Sequence, residues 1–393
     1  MVRTTNLFEE PIVCIDFGMS RQTFSADYQE KQPLLIRNAV HHIDFSWTDA
    51  CEILERCHVD DPSFKLSYHG SILPKKDYVE RYLDVGTPSY RLIKPVVYDY
   101  MRKGATLIAN RIKHEPKVSA FARAVGEFTG RQVVSSAYAA FGHHSSFRSH
   151  WDTRDVFAVQ LIGRKRWLIY APTFEFPLSH QQSRDYELTF PHSSEPYLDL
   201  VLEPGDVLYV PRGWWHDPLP LGEGCFHLAL GTFPPYVADY LRWATHQIQE
   251  NVLARRSLDT WEFEQELLEK AAQEMAHFIR SSENYAQFMD EYCAHVRDES
   301  ALDLGRFADV NGGDLPDHAG LRLRAHRPRG LDQAYLMHDG KKIPLEPHVA
   351  EVLSLVSEFP GISLGEVLVH SRVEDKKLLR QILTELSQQD ILC

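Results

Sequence analysis

The sequence predicts an α+β protein, with a β-rich central block and helices before and after it. Three observations carry this. Residues 155–172 are β-branched, aromatic and apolar, interrupted at Gly163 and stopped at Pro172. Two such runs either side of a glycine read as a β-hairpin. Residues 203–216 hold a Pro204-Gly205-Asp206 turn, a short strand over Val207–Val210, and then Pro211 and Gly213, which end it. Apolar residues recur every three or four positions over 118–128 (Phe121, Ala124, Val125, Phe128) and again after Pro234-Pro235 (Val237, Leu241, Ala244, Ile248, Val252). That period is helical.

Length and charge bound the rest. At 393 residues the chain is long enough for two or three domains. Charged residues make up 25% and hydrophobic ones 44%, the balance of an ordinary globular protein. The net charge of −13 argues against a general nucleic-acid binder and favours a basic protein partner. No apolar run reaches the roughly 18 residues of a membrane helix. Met1 to Glu10 is charged and has no apolar signal core. The six cysteines (14, 51, 57, 225, 293, 393) are scattered and form no C-x-x-C pair. Free thiols in a reducing, cytoplasmic setting and no zinc site are the expectation.

The chemistry centres on His150-Trp151-Asp152 and His216. Residues two apart on a strand share a face, so His150 and Asp152 would project together. His216 follows the Val207–Val210 strand. Two imidazoles and one carboxylate form a facial ligand set for non-haem Fe(II), with three positions left for a chelating cosubstrate and O2. By itself H-x-D also describes a surface pair in a chain with 20 histidines. The β-rich surroundings favour the metal reading. Asp206 and Asp217 also lie near His216. They are expected to serve the turn and to break the strand beside Pro218, not to bind metal.

Together, H-x-D, Q-x-x-G-x-K-x-W (Gln160 to Trp167) and P-G-D-x-x-x-x-P-x-G-W-x-H (Pro204 to His216) resemble the JmjC-type 2-oxoglutarate oxygenases, specifically their ribosomal oxygenase (cupin 4) group. Residues 32–37, 104–111 and Ala137-Tyr138 with Gly142 agree with it. The resemblance covers about residues 10–235 well and the remainder in layout. It implies a double-stranded β-helix (jelly-roll, cupin) barrel with flanking helices over 1–233. It implies a helical dimerisation region over 234–300, giving a homodimer, and a winged-helix-like C-terminal domain over 301–393. It further implies Fe(II) on His150, Asp152 and His216, with 2-oxoglutarate and O2 as cosubstrates. Lys165 would pair with the far carboxylate of 2-oxoglutarate, and Arg164 and Arg166 would point the other way. Tyr138 and His227 are further cosubstrate candidates, or packed core residues.

The implied reaction is hydroxylation of a protein side chain, with arginine on a ribosomal protein favoured. A natural-product precursor peptide and a non-catalytic metal-binding scaffold are the alternatives. The stretch Gly142 to Ser149 departs from the family's glycine-rich loop, and Ser136 stands where many relatives have Asn. Both bear on the substrate. Residues 173–200, with His180 and His192 as loop residues, read as an insertion near the barrel mouth and a candidate lid. Trp261 to Ile279 should form a second helix after Pro235. Further on, Arg322, Arg324, Arg327 and Arg329 read as a basic strand. Helices follow around Val349–Val356, after a Ser363 cap, and over Leu378–Leu386. Acidic neighbours make DNA binding by these helices the lesser reading, and a docking or structural role the greater.

Overall fold

A computed structural model describes residues 15–41, 44–143, 148–295 and 313–393. Expectations placed on Met1 to Glu10, Cys14, residues 144–147 and residues 301–312 lie outside these. The chain divides into two compact units, one ending at Phe233 and one starting at Pro234.

Two antiparallel sheets build the first unit. The larger has eight strands in the order Leu34–Ile36, Val207–Val210, Asp155–Ile162, Cys225–Phe233, Gln132–Ala140, Thr106–Ile112, Phe64–Tyr68 and Ser71–Ile72. The smaller has four: Leu198–Leu202, Lys165–Tyr170, Trp215–Pro220 and His150–Trp151. After residue 150 successive strands alternate between the sheets, except that Lys165–Tyr170 and Leu198–Leu202 pair with each other in the smaller one; this is a jelly-roll pattern. The outer face of the larger sheet is strongly apolar. Phe157, Val159, Tyr209, Phe226 and Leu228 pack there against Val118, Phe121 and Val125 of the helix Pro116–Thr129. Pro at its first turn and Gly130 just beyond, in a left-handed conformation, set that helix's ends.

The expected hairpin is corrected here. Asp155–Ile162 and Lys165–Tyr170 do not pair. The first lies between Val207–Val210 and Cys225–Phe233, the second between Leu198–Leu202 and Trp215–Pro220. Seven of the eight residues of Asp155–Ile162 are buried, so both its faces are covered and both its edges are taken. Gly163, with φ +61°, therefore turns the chain from one sheet into the other. A Cβ there would strike the carbonyl of Gly224. The strand break expected at Asp217, beside Pro218, is also corrected, because the strand runs through both. Trp215–Pro220 pairs along its length with Lys165–Tyr170. Only Trp215 and His216 pair on the other side, with Trp151 and His150. From Asp217 on, one edge is open, and a proline without N–H is tolerated there. A two-stranded ribbon, Val79–Asp84 with Thr87–Leu92, stands apart from both sheets.

Asp155 ties the sheet's edge together. Its carboxylate accepts from Arg131 Nη1 (2.7 Å), the Tyr209 hydroxyl (2.9 Å) and the Arg212 amide (3.0 Å). The Tyr209 hydroxyl in turn accepts from the Glu30 amide. Asp155 is 2% exposed. Asp155→Ala should therefore lower the unfolding free energy by about 3 kcal/mol, the lower end for breaking a buried pair, since Glu30 still faces Arg131. Urea denaturation measures this; an unchanged midpoint would deny the cluster its structural role.

In the second unit the helices Val237–Gln247, Trp261–Arg280 and Ser282–Cys293 come first. The helices Pro347–Glu358, Leu364–His370 and Lys376–Gln388 enclose Val352, Leu353, Val356, Val367, Leu379 and Leu383. Ser363 caps the middle one, its hydroxyl accepting from the Glu366 amide. The arginine stretch 322–329 is strand-like only at its start, where Leu323 bridges to Leu392 and Arg322 and Arg324 bond the backbone of 391–393. It is not a free basic face, because Arg324 pairs with Asp390 and Arg329 with Asp290. No helix among the described residues is long and apolar enough to cross a membrane.

Candidate metal centre

His150 and His216 lie directly opposite each other on paired strands, with ring centroids 4.4 Å apart. Asp152 follows two residues after His150, and its Oδ2 is 3.7 Å from His216 Nε2. One ligand atom from each of the three lies within 4.8 Å of the others. The tautomers are prepared. His150 Nδ1 is 2.9 Å from the Arg148 carbonyl and His216 Nδ1 is 3.1 Å from the Trp214 carbonyl. A carbonyl only accepts, so each Nδ1 carries the proton and each Nε2 presents a lone pair.

Burial, then the neighbouring His150, lowers the pKa of His216 to about 4; Asp152 opposes them. Burial raises Asp152, but Arg154, His216 and His150 more than offset it and hold the carboxyl below its ordinary value. At neutral pH the centre therefore offers a neutral His216 imidazole and an Asp152 carboxylate beside His150. This donor set fits Fe(II), and three coordination positions remain.

Residues 107–240 match the family described as the JmjC domain. This stretch is similar to a JmjC domain. Relatives include the fruit fly (Drosophila persimilis) "Bifunctional lysine-specific demethylase and histidyl-hydroxylase NO66", 28% identical over 55% of this chain and 30% of that one. Chicken (Gallus gallus) "Ribosomal oxygenase 1" is 29% identical over 51% of this chain and 33% of that one. The chain thus spans about a third of the length of these curated relatives. Among solved structures, the ribosomal oxygenase YcfD of Escherichia coli superposes with a TM-score of 0.58 at 17% identity, covering 95% of this chain and 98% of that one. A form of YcfD in complex with cobalt and 2-oxoglutarate gives 0.57 at 16% over the same shares. At such identity the likeness is one of fold.

Inside the barrel, strand alternation sends Lys165, Trp167 and Ile169 inward. Arg166 goes outward to Asp199 (2.7 and 2.6 Å), and Arg164 meets Glu223. Lys165 is 3% exposed, and its ammonium makes no hydrogen bond or ion pair among the described residues. Burial lowers its pKa; Cys225 and Asp217 oppose this weakly. A buried cation without a partner is costly, which makes it a fitting counterion for an incoming carboxylate.

His227 and Tyr138 are register partners on adjacent strands, their rings stacked at 4.9 Å and 9°. His227 Nδ1 is buried without a hydrogen-bond partner, and burial together with Lys165 holds its pKa far below the ordinary value. Tyr138 is pushed up to about 12 by burial and by Asp152. The indole of Trp167 stands edge-on to His227 (5.7 Å) and 5.9 Å from His216, and its Nε1 is buried without a partner. Trp167 therefore bridges the His/Asp set and the Lys165 end. Lys165, His227 Nδ1 and Trp167 Nε1 together form a donor-rich recess suited to a dicarboxylate.

The other side chains of the same strands face outward. Trp151 Nε1 donates to the Gln181 carbonyl and Trp215 Nε1 to Thr173 Oγ1. Phe174 stacks on Trp151, and His192 lies against Trp215. The contacts of the expected lid are thus behind the ligands, on the sheet's outer face, where it braces them. Asp206 serves its turn, accepting from Arg37 and from the Asn38 and Glu203 amides. His143 is exposed, its ring beside Gly222. One residue at the centre went unread in the sequence. Arg154 Nη2 is 3.4 Å from Asp152 Oδ1. The D-x-R spacing is the one trace of it in the sequence, but 152–154 is not strand, so that spacing fixes no direction.

Proposed function

We propose that the protein is an Fe(II)- and 2-oxoglutarate-dependent protein hydroxylase acting on a side chain of a ribosomal protein, with arginine the favoured target. The supporting observation is that the smaller sheet carries both the His150, Asp152, His216 set and the buried, unpaired Lys165. In this reading the two histidines and Asp152 hold the metal. Lys165 pairs with the far carboxylate of 2-oxoglutarate, and His227 and Tyr138 line the same recess. Bound iron and 2-oxoglutarate supply O2 activation, with release of CO2 and succinate. The protein orients them, leaves coordination positions open and screens the recess from water. A pure scaffold would have no use for the unpaired lysine.

The names of the relatives give the test its range. The purified chain, Fe(II) and 2-oxoglutarate are incubated with arginine, histidine and methyl-lysine peptides from ribosomal proteins and histones, and with precursor peptides. Succinate release coupled to gain of one oxygen on an arginine peptide is expected. Turnover confined to another peptide class would replace the substrate, and no coupled turnover with any would defeat the enzyme reading.

The same reading gives residues 234–300 a dimerisation role and 301–393 that of a winged-helix-like docking module, in a cytoplasmic protein. The helix Trp261–Arg280 has no buried residue within one chain, and Trp261 and Phe263 are 66% and 80% exposed. Apolar exposure of that kind is typical of a face covered by a partner. Light scattering should give twice the chain mass, and Trp261→Glu with Phe263→Glu should halve it. A monomeric wild type would refute the dimer.

A further inference from the structure

Arg154 belongs to none of the motifs that define the site, yet its guanidinium reaches the carboxylate of Asp152. The two oxygens of that carboxylate face different groups. Oδ2 lies 3.7 Å from His216 Nε2, on the side of the two histidines, whereas Oδ1 lies 3.4 Å from Arg154 Nη2. The position of Arg154 is itself built. It lies across the Cys225–Phe233 strand at Gly231, where an added Cβ would fall 2.7 Å from Arg154 Nε and 2.8 Å from its Cδ. The guanidinium carbon is 5.9 Å from the centre of the Phe233 ring, in cation–π range. A glycine makes the room and an aromatic ring holds the far end.

We propose that Arg154 is a positioning residue that keeps Asp152 a one-oxygen metal ligand; this rests on the metal-centre reading above. The reason is coordination arithmetic. Two imidazoles and one carboxylate oxygen fill three of six positions, leaving two for a chelating 2-oxo acid and one for O2. A carboxylate that bound through both oxygens would take a fourth. The 2-oxo acid would still fit, but O2 would find no position. An ion pair to Oδ1 holds that oxygen away from the metal and fixes the rotation of the carboxylate. The positive charge beside a divalent ion acts against metal affinity, so affinity alone is a poor readout. The number of open positions is the direct one.

Full-length protein is saturated with Mn(II) alone, and water-proton relaxation counts the metal-bound waters. The wild type should show three exchangeable waters. Arg154→Ala should show two, an inner-sphere relaxivity lower by about one third. Gly231→Ala, which displaces the arginine without removing it, should move in the same direction and serves if Arg154→Ala fails to fold; thermal unfolding monitors both. Relaxivity equal to that of the wild type in a folded variant at saturation would overturn the proposal while leaving the metal centre standing. A wild type that takes up no Mn(II) would overturn both.

Discussion

His150→Ala and Asp152→Ala are each expected to abolish 2-oxoglutarate turnover and metal uptake while leaving the protein folded. Loss of a partner one step beyond the ligands typically weakens metal binding 10- to 100-fold. Removing one of three protein donors should exceed about 100-fold, because the remaining two no longer define a face of the coordination sphere. The fold should survive for a local reason. His150 is only partly buried, and the hydrogen bond of its side chain to the Arg148 carbonyl is worth about 1 kcal/mol. Asp155, three residues past Asp152, is the control. It too is an aspartate facing arginine, but its carboxylate is sealed in a buried network, so its loss should reduce stability and spare the metal centre. Metal titration and urea denaturation of Asp152→Ala and Asp155→Ala should separate cleanly. If Asp152→Ala binds metal as the wild type does, the centre lies elsewhere.

That contrast shows what sequence pattern carries and what it leaves out. The site was legible because strand period fixes side-chain direction: His150 and Asp152 share a face, and Lys165 points opposite to Arg164 and Arg166. The helices at 118–128, 237–252 and 349–386 were legible from their apolar period. The partner of a strand is not contained in its period. Asp155–Ile162 and Lys165–Tyr170 look like a hairpin because a glycine separates them, and only the two-sided burial of the first tells that other strands flank it. The arginines at 322–329 looked like a basic face because their partners, Asp390 and Asp290, are remote in sequence. Arg154 escaped because its meaning comes from Gly231 and Phe233, on a strand some 75 residues further on.

Lys165→Ala should act on the cosubstrate and not on the metal. Breaking a buried ion pair by removing one partner costs about 3–5 kcal/mol. The KM for 2-oxoglutarate should therefore rise roughly a hundred- to several thousand-fold, with Mn(II) binding unchanged. The same lysine strains the ligand-free protein, which gives a second readout of opposite sign. Its folded-state pKa lies below the ordinary 10.5, chiefly from burial, so between the two values the unfolded chain binds more protons. Stability of the ligand-free protein should rise as pH climbs through that window. Lys165→Met, which removes the charge and keeps the volume, should erase that slope and raise stability at neutral pH. Cosubstrate affinity should run the other way, falling as pH climbs past the depressed value, because a neutral amine cannot pair with a carboxylate. A dicarboxylate that binds equally well to the wild type and Lys165→Met would mean that its far end sits against some other group.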